Sequence, residues 1–195
     1  MVFPGNIIHF EVGRKKSIAA IEWAMSNNNA VFLTAQQDMD VEDPGFKDLY
    51  AYGVVAEVKQ VLRVSDELVK VLVEGKYRAK LLTLDSSGRF LLASTKAAAL
   101  RGTKSVDSAR MEALVRSVKE VFEEYLSLNP RLSKDVVYTI ITNEDAALLC
   151  DYIPANLLLK YTDKQALLNE GTVSGRLEKL LEILRRETKI PVSYT

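Results

Sequence analysis

The sequence predicts an α+β protein in which a strand-rich half precedes an all-helical half. Up to Arg101, apolar residues mostly alternate with polar ones, the period of two that is typical of half-buried strands. Beyond it, glycine is rare until Gly171 and apolar residues recur every three or four positions, as on the buried stripe of a helix. Because strands and helices are segregated along the chain, we predict two parts, residues 1–101 and 102–195.

The strand-rich half opens with a strand, a helix and a second strand. Ile7–Val12 alternates in polarity, and Arg14–Asn28 has apolar residues at helical spacing. The three asparagines at positions 27–29 favour a helix end, since asparagine tolerates the left-handed C-cap conformation. Ala30–Ala35 is a short apolar strand, and Phe90–Ala98 is the last strand of this half.

Gly53–Leu84 is the segment around which this half is organised, and it predicts three consecutive strands. Val54–Val64 and Leu68–Glu74 both alternate in polarity, with a polar break of hairpin length between them. Gly75 interrupts the pattern before it resumes in Tyr77–Leu84. A glycine between two strand-like runs indicates a bulge or a corner at which the sheet bends.

Five helices are predicted in the second half. Ser133 suits the N-cap of the second, Asn143 can cap the third, and Pro154 is expected to end that third helix. Thr162 and Gln165 fit a capping box at the start of the fourth. The predicted ranges are Ser105–Leu128, Ser133–Ile141, Asn143 to about Ile153, Thr162 to about Glu170, and Ser174–Lys189.

Two pairs of opposite charge are predicted to be structural. Glu182 and Arg186 stand four positions apart in the last helix, a favourable spacing for an ion pair. Glu74 and Arg78 are also four residues apart and could brace the sheet across its bend.

The loop before the three predicted strands, PGFKDLYAY at positions 44–52, is the most suggestive stretch for function. Its phenylalanine, leucine and two tyrosines could present an apolar surface to a peptide. In the more conservative interpretation, Phe46 and Leu49 plug one end of the strand-rich half. We take four residues as candidate substrate contacts: Phe46, Leu49, Tyr50 and Tyr52.

Composition excludes several classes of function. The 26 basic and 26 acidic residues give a net charge of zero, which argues against a general binder of nucleic acid or anionic membrane. One cysteine permits no internal disulfide, no apolar run is long enough to span a bilayer, and MVFPGNIIHF is not typical of a signal peptide. We therefore expect a cytoplasmic protein.

No catalytic, cofactor-binding or metal-binding site is predicted. His9 is the single histidine and lies in a predicted strand, away from any cluster of ligand residues. Cys150 has apolar neighbours, which favours a buried structural thiol over a reactive one. Arg101–Ser105 lacks the first glycine of a phosphate-binding loop, so we interpret it as a linker that ends in a helix cap.

Four ordered blocks make the sequence resemble a known family. They are the VGRKKSI entry to the first helix, VEDPGFKDLYAYGVVA, the VKVLVEGKYRA hairpin, and LLLKYTDKQALL at positions 157–168. Together they closely resemble the N-terminal substrate-binding domain of the ATP-dependent Lon proteases, from Val2 to about Lys189. The resemblance implies a PUA-like β pseudo-barrel with one helix, followed by a helical bundle.

The resemblance also implies a function. The domain would recognise unfolded or tagged proteins for a hexameric AAA+ protease, and its partners would be those substrates, the other domains and subunits of the protease, and further copies of itself. The ATPase and the Ser–Lys proteolytic site of the family lie beyond this region, so we expect no catalysis and no cofactor here, although the full-length family uses ATP and magnesium.

Two features depart from the family pattern. Family members usually carry a strand before the segment that matches Val2–Pro4, and its absence would leave an unpaired sheet edge. The family's last helix continues into a long linker, whereas Pro191 is expected to end it here. Three other roles stay open: a nucleic-acid binder, since PUA-like folds elsewhere bind RNA, a small-molecule site, and a purely oligomerising module.

Overall fold

Strands and helices are segregated along the chain as the periods of the apolar residues predict. The computed structural model describes residues 1–102 and 108–189. The described residues form a five-stranded antiparallel sheet and six α-helices, which confirms the α+β class. The chain divides into two compact units, a strand unit over Met1–Ala99 and a helix unit over Leu100–Thr195.

The strand unit contains one α-helix and five strands. The strands run in the order β1-β4-β3-β2, and β5 pairs with β4. All strand pairs are antiparallel. The elements are β1 (Ile7–Val12), α1 (Lys15–Ser26), β2 (Ala30–Leu33), a 3-10 turn (Phe46–Asp48), β3 (Tyr52–Ser65), β4 (Leu68–Asp85) and β5 (Leu92–Ala97).

The core of the strand unit lies between the sheet and α1. The alternation of β3 and β4 puts one set of small and β-branched side chains on the inner face, where they meet the apolar stripe of α1. Asn29, with φ of 57°, turns the chain from α1 into β2, which confirms the asparagine-rich helix end. The buried residues include Ile18, Ile21, Ala24, Val54, Ala56, Val58, Val69, Val71 and Val73.

The prediction of three strands in Gly53–Leu84 is wrong, because β4 continues without a break through Gly75. Ala56 pairs with Gly75 and Val55 pairs with Tyr77, so Lys76 is the extra residue of a β-bulge. A Cβ atom on Gly75 would lie 2.2 Å from the carbonyl oxygen of Phe3. The glycine therefore marks a bulge and a close backbone approach within one bent strand.

The helix unit is built around one apolar core. Its helices each contribute an apolar stripe, and the buried set includes Val118, Phe122, Ile140, Leu149, Leu177 and Leu180. The helices are α2 (Ser108–Leu128), α3 (Lys134–Thr142), α4 (Ala146–Asn156), α5 (Tyr161–Asn169) and α6 (Val173–Lys189). The predicted start of α2 at Ser105 and the stop at Pro191 lie outside the described residues.

The caps of α3 and α4 confirm one prediction and correct two. The Ser133 hydroxyl accepts from the Val136 N–H, as an N-cap should. Asp145, not Asn143, caps α4, because its carboxylate accepts from two backbone N–H groups of the first turn at 2.9 and 3.2 Å. Pro154 does not end α4 but lies buried in its last turn, where one missing N–H costs little beside the packing gained.

Two local predictions in α5 and α6 are wrong because tertiary contacts override local spacing. Lys160, not Thr162, is the N-cap of α5, and Gln165 points into the core and donates to Asn169 at 2.8 Å. Arg186 forms its ion pairs with Asp163 of α5 and with Glu187, not with Glu182.

A strongly buried ion pair joins two helices of the helix unit. Arg176 of α6 is 0 % exposed and donates to the carboxylate of Asp151 in α4 and to the Glu170 carbonyl oxygen at 3.1 Å. This pair ties α4 to α6. Since a buried charge that loses its partner is costly, the pair constrains how these helices pack.

Candidate apolar binding groove

The strand unit carries an open groove of about 580 Å³. This volume is within the usual range of ligand pockets. Residues of β1, α1, β2, the β2–β3 loop, the end of β4 and the segment entering β5 form its walls. The apolar lining residues are Phe10, Val12, Ala20, Ile21, Val31, Phe32, Leu33, Pro44, Leu49, Leu81, Leu84, Leu91 and Ala93.

The groove lies along a seam at which the sheet does not close. β1 and β2 are the two ends of the strand order, yet both line the groove. All four residues of β2 are only half-buried, although the strand reads AVFL. Apolar side chains that stay half-exposed beside a cavity form a surface that can bury an apolar ligand.

The rim of the groove is polar and balanced in charge. The Arg14 guanidinium donates to the Gln36 side-chain oxygen, and the Lys16 ammonium pairs with Asp43 at 2.8 Å. The Gln36 amide in turn donates to the Val41 carbonyl oxygen at 2.9 Å. Because these cations already have acidic or amide partners, the rim suits a neutral apolar ligand better than a phosphate.

Hydrogen bonds hold the β2–β3 loop against the groove. The Gln37 amide donates to the carbonyl oxygens of Lys47 and Leu49 at 3.1 and 3.0 Å. The Asp48 carboxylate accepts from the Gly45 N–H at 2.8 Å and closes the 3-10 turn. The loop wall of the groove is therefore fixed by contacts along its length.

The structure brings one of the four sequence-predicted contact residues into the groove. Leu49 lines it, together with Pro44 of the same loop. Phe46 projects from the 3-10 turn and is 48 % exposed, while Tyr50 and Tyr52 are half-buried outside the lining. Substrate contact by these four residues stays a prediction.

Tyr52 packs beneath a buried arginine. The guanidinium of Arg78 lies 3.9 Å from the centre of the Tyr52 ring, and Arg78 is only 6 % exposed. Arg78 also donates to the Ala98 carbonyl oxygen at 2.9 Å. These contacts support a structural role for Tyr52.

The predicted Glu74–Arg78 brace is wrong, since the bulge at Lys76 turns Glu74 to the outer face. There Glu74 contacts the ammonium groups of Lys59 and Lys76 at 2.9 and 2.7 Å. Both lysines also pair with Glu57, which stands opposite Glu74 in the ladder. Hydrogen bonds from Lys59, and to a smaller extent from Lys76, lower the pKa of Glu74 to about 2.

Comparison with known proteins identifies the family. Residues 1–186 match the family model described as the ATP-dependent protease La (LON) substrate-binding domain. The chain belongs to this family. Lon proteases from Desulforamulus reducens and Escherichia coli K12 are each 37% identical, over 190 and 187 residues, or 97% and 96% of the chain. The chain spans about a quarter of their length, 23% and 24%.

Solved structures agree with the fold of this LON substrate-binding domain. The N-terminal domain of a Mycobacterium avium complex Lon protease superposes with a TM-score of 0.74 at 19% identity, covering 95% of this chain and 92% of its own. A Lon N-terminal domain protein from Xanthomonas campestris gives 0.55 at 14% identity, covering 93% and 91%. At these identities the likeness supports the fold alone.

Sequence reasoning missed most of the groove of this LON domain. Phe10, Leu33, Leu84 and Leu91 lie in or beside strands and have the polarity of ordinary core residues. The groove forms where the two ends of the sheet approach each other, and no local spacing records that approach. Leu49 could be found because its loop is unusually apolar.

The other reactive groups of this LON domain have structural surroundings. Cys150 is 0 % exposed, and burial raises the pKa of its thiol to about 12, which confirms a buried structural cysteine. Among residues 1–102 and 108–189, no three His, Cys, Asp or Glu side chains are placed to hold a metal ion. None of the helices in that part of the chain is long and apolar enough to cross a membrane.

Proposed function

We propose that this chain is the substrate-recognition and assembly domain of a Lon-type AAA+ protease. It binds unfolded or tagged polypeptides, and ATPase and protease domains elsewhere in that protease degrade them. The observation that carries the proposal is the open, half-buried apolar groove along the seam of the strand unit. Unfolded chains expose apolar side chains, and a groove of this kind can bury them.

The groove and its rim favour a polypeptide over a nucleic acid. A nucleic-acid site needs free cations for phosphates, whereas Arg14 and Lys16 at the rim are already engaged and the chain has no net charge. A peptide ligand needs an apolar surface with polar groups at its margin, and the groove provides both.

The expected mechanism is weak capture by several copies. Burying one leucine-sized side chain contributes about 1.5–3 kcal/mol, so a single groove holds a substrate loosely. A dissociation constant between millimolar and micromolar corresponds to about 4–8 kcal/mol. Several such domains in a hexamer, with substrate segments linked in one chain, raise the effective concentration and hold the substrate without a tight individual site.

The isolated chain should have no ATPase and no peptidase activity, and in the cell it should lie in the cytoplasm beside the other domains and subunits of the protease. A purified sample assayed for phosphate release and for cleavage of an unfolded protein tests this point. Activity that persists through purification to homogeneity would contradict a purely recognising role.

Two adjacent leucines offer a matched test of the groove. Leu91 lines it, whereas Leu92 is 54 % exposed and lies outside the lining. The probe is a protein whose fold depends on disulfides. After reduction and carboxymethylation of its cysteines it stays unfolded without denaturant. Leu91→Ser should weaken binding at least about tenfold, since it removes about one buried leucine side chain.

Leu92→Ser is the control and should bind as the parent chain does. Thermal unfolding of both variants must show that the fold survives. Equal affinities for two folded variants, or a loss confined to Leu92→Ser, would refute the groove as the binding site.

A further inference from the structure

The hydrogen-bond pattern of β2 shows which of its backbone groups face away from the sheet. The Val58 N–H donates to the Asn29 carbonyl oxygen at 2.7 Å, so Asn29 and Val58 form a hydrogen-bonded pair of the antiparallel ladder. Such pairs alternate along a ladder. The next hydrogen-bonded pairs between β2 and β3 are therefore Val31 with Ala56 and Leu33 with Val54.

The intervening residues of β2 direct their N–H and C=O groups outward. The N–H of Ala30 is already taken, since it donates to the Asn28 side-chain oxygen at 3.1 Å. Phe32 has no such local acceptor, and among the described residues β2 pairs with β3 alone. The N–H and C=O of Phe32 thus form an unpaired donor and acceptor on the outer edge of β2.

The Phe32 side chain leaves this edge accessible. Its ring lies over Gly53 of β3, so closely that a Cβ atom on Gly53 would stand 2.7 Å from it. The ring is thereby held on the face of the sheet. The edge of β2 borders the groove, because Val31, Phe32 and Leu33 are all part of the lining.

We propose that the polypeptide in the groove binds as an added β-strand on the outer edge of β2. Its backbone pairs with the N–H and C=O of Phe32, and every second side chain enters the groove. This inference rests on the function proposed above and specifies the conformation of the substrate as extended.

An extended polypeptide fits this combination better than other ligands. A donor and an acceptor on one residue match the paired N–H and C=O that one residue of an added antiparallel β-strand presents. A helical ligand has its backbone groups paired internally and could use the apolar walls only. Main-chain recognition tolerates many sequences, as a domain that binds unfolded proteins requires.

Amide hydrogen exchange measured by NMR on the whole chain tests the proposal residue by residue. The probe is a peptide of about six alternating valine and threonine residues, with lysines at both ends for solubility. At saturation, exchange at the Phe32 N–H should slow at least about tenfold. Val31 and Leu33 should change little, because their N–H groups are already bonded to β3.

Two N-methylated versions of the peptide provide the control. Each carries methyl groups on one of the two alternate sets of backbone nitrogens, so composition and methyl count are equal. Methylating the set that faces β2 should weaken binding at least about tenfold, and methylating the other set should not.

The outcomes separate this inference from the function on which it rests. Binding that Leu91→Ser weakens, with exchange at Phe32 unchanged or with equal affinities for the two methylated peptides, would overturn strand addition and leave the groove function standing. Failure of both the peptide and the unfolded protein to bind would overturn both.

Discussion

Replacing Gly75 with alanine should destabilise the strand unit strongly. The new Cβ atom would lie 2.2 Å from the Phe3 carbonyl oxygen and 2.9 Å from a Val2 methyl group. A carbon and an oxygen normally approach no closer than about 3.2 Å, so the backbones must separate by about 1 Å. Flexible side-chain ends cannot absorb this shift, because the nearest atom belongs to the backbone.

The separation would break the local hydrogen bonds. The Gly5 N–H donates to the Gly75 carbonyl oxygen, and the Gly75 N–H donates to the Asn6 carbonyl oxygen, both at 2.9 Å. Losing two such bonds costs about 1 kcal/mol each, and overpacking adds about 1–3 kcal/mol. We therefore expect a loss of about 3–5 kcal/mol, enough to lower the Tm of a unit of this size by more than about 10 °C.

Tryptophan fluorescence during heating measures this loss in the strand unit alone. The chain has one tryptophan, Trp23, and it lies on α1, packed against Phe90. Gly88→Ala is the control, because the nearest atom to its new Cβ would be 3.8 Å away. If Gly75→Ala melts within about 2 °C of the parent, the close approach of the N-terminal segment to β4 is wrong.

Three further predictions concern the ion pairs and the thiol. Asp151→Ala should cost about 3–5 kcal/mol in urea unfolding, because it leaves the Arg176 guanidinium buried without its carboxylate. The Cys150 thiol should resist thiol reagents near neutral pH and react at once in denaturant, since burial raises its pKa to about 12. NMR titration of Glu74 should give a pKa near 2, and Lys59→Met should raise it towards 4.5.

Each of these predictions has an outcome that would contradict it. Arg186→Ala serves as the control for the buried pair, because Arg186 is half-exposed and should cost no more than about 1 kcal/mol. Equal losses for the two ion-pair variants would mean that Arg176 is solvated. Rapid labelling of Cys150 in the native state would show that α4 opens easily.

The sign of the Glu74 effect follows from its lowered pKa. Its ion pairs favour folding while the carboxylate is charged, so their contribution is present above pH 4.5 and is lost as the pH falls towards 2. Loss of stability as the pH rises from 4.5 to 7, traced to Glu74 by its replacement, would contradict this direction.

The order and type of the elements could be predicted from the sequence because they depend on local periodicity. The sequence predicts β1 and the N-cap at Ser133 correctly, and it marks Gly75 as the site of a bulge or corner. The sequence does not predict that β4 continues through Gly75, since local polarity cannot distinguish a bend within a strand from the end of one. The capping box predicted for Gln165 fails for another reason, because its side chain is buried in the core.

The groove could be predicted only in part because it depends on contacts between distant segments. Leu49 stood out in an apolar loop, but Phe10 and Leu91 are far from it in sequence and look like ordinary strand residues. They are half-buried because they lie beside the seam at which the sheet does not close. The free edge of Phe32 likewise follows from the phase of the ladder, which no amino-acid pattern specifies.

The long β3–β4 hairpin has a consequence for the order in which the strand unit folds. Its strands are joined by a turn of two residues, Asp66 and Glu67, so closing it costs little chain entropy. β1, β2 and β5 pair only with β3 or β4 in the described part of the chain, so the hairpin provides the edges on which all three dock. We therefore expect the hairpin to form first and the seam, which brings together segments distant in sequence, to form last. Since β1 and β2 are not paired with each other in the described residues, we expect the seam between them to open more readily than the hairpin, so that the groove opens to a substrate while the hairpin stays paired.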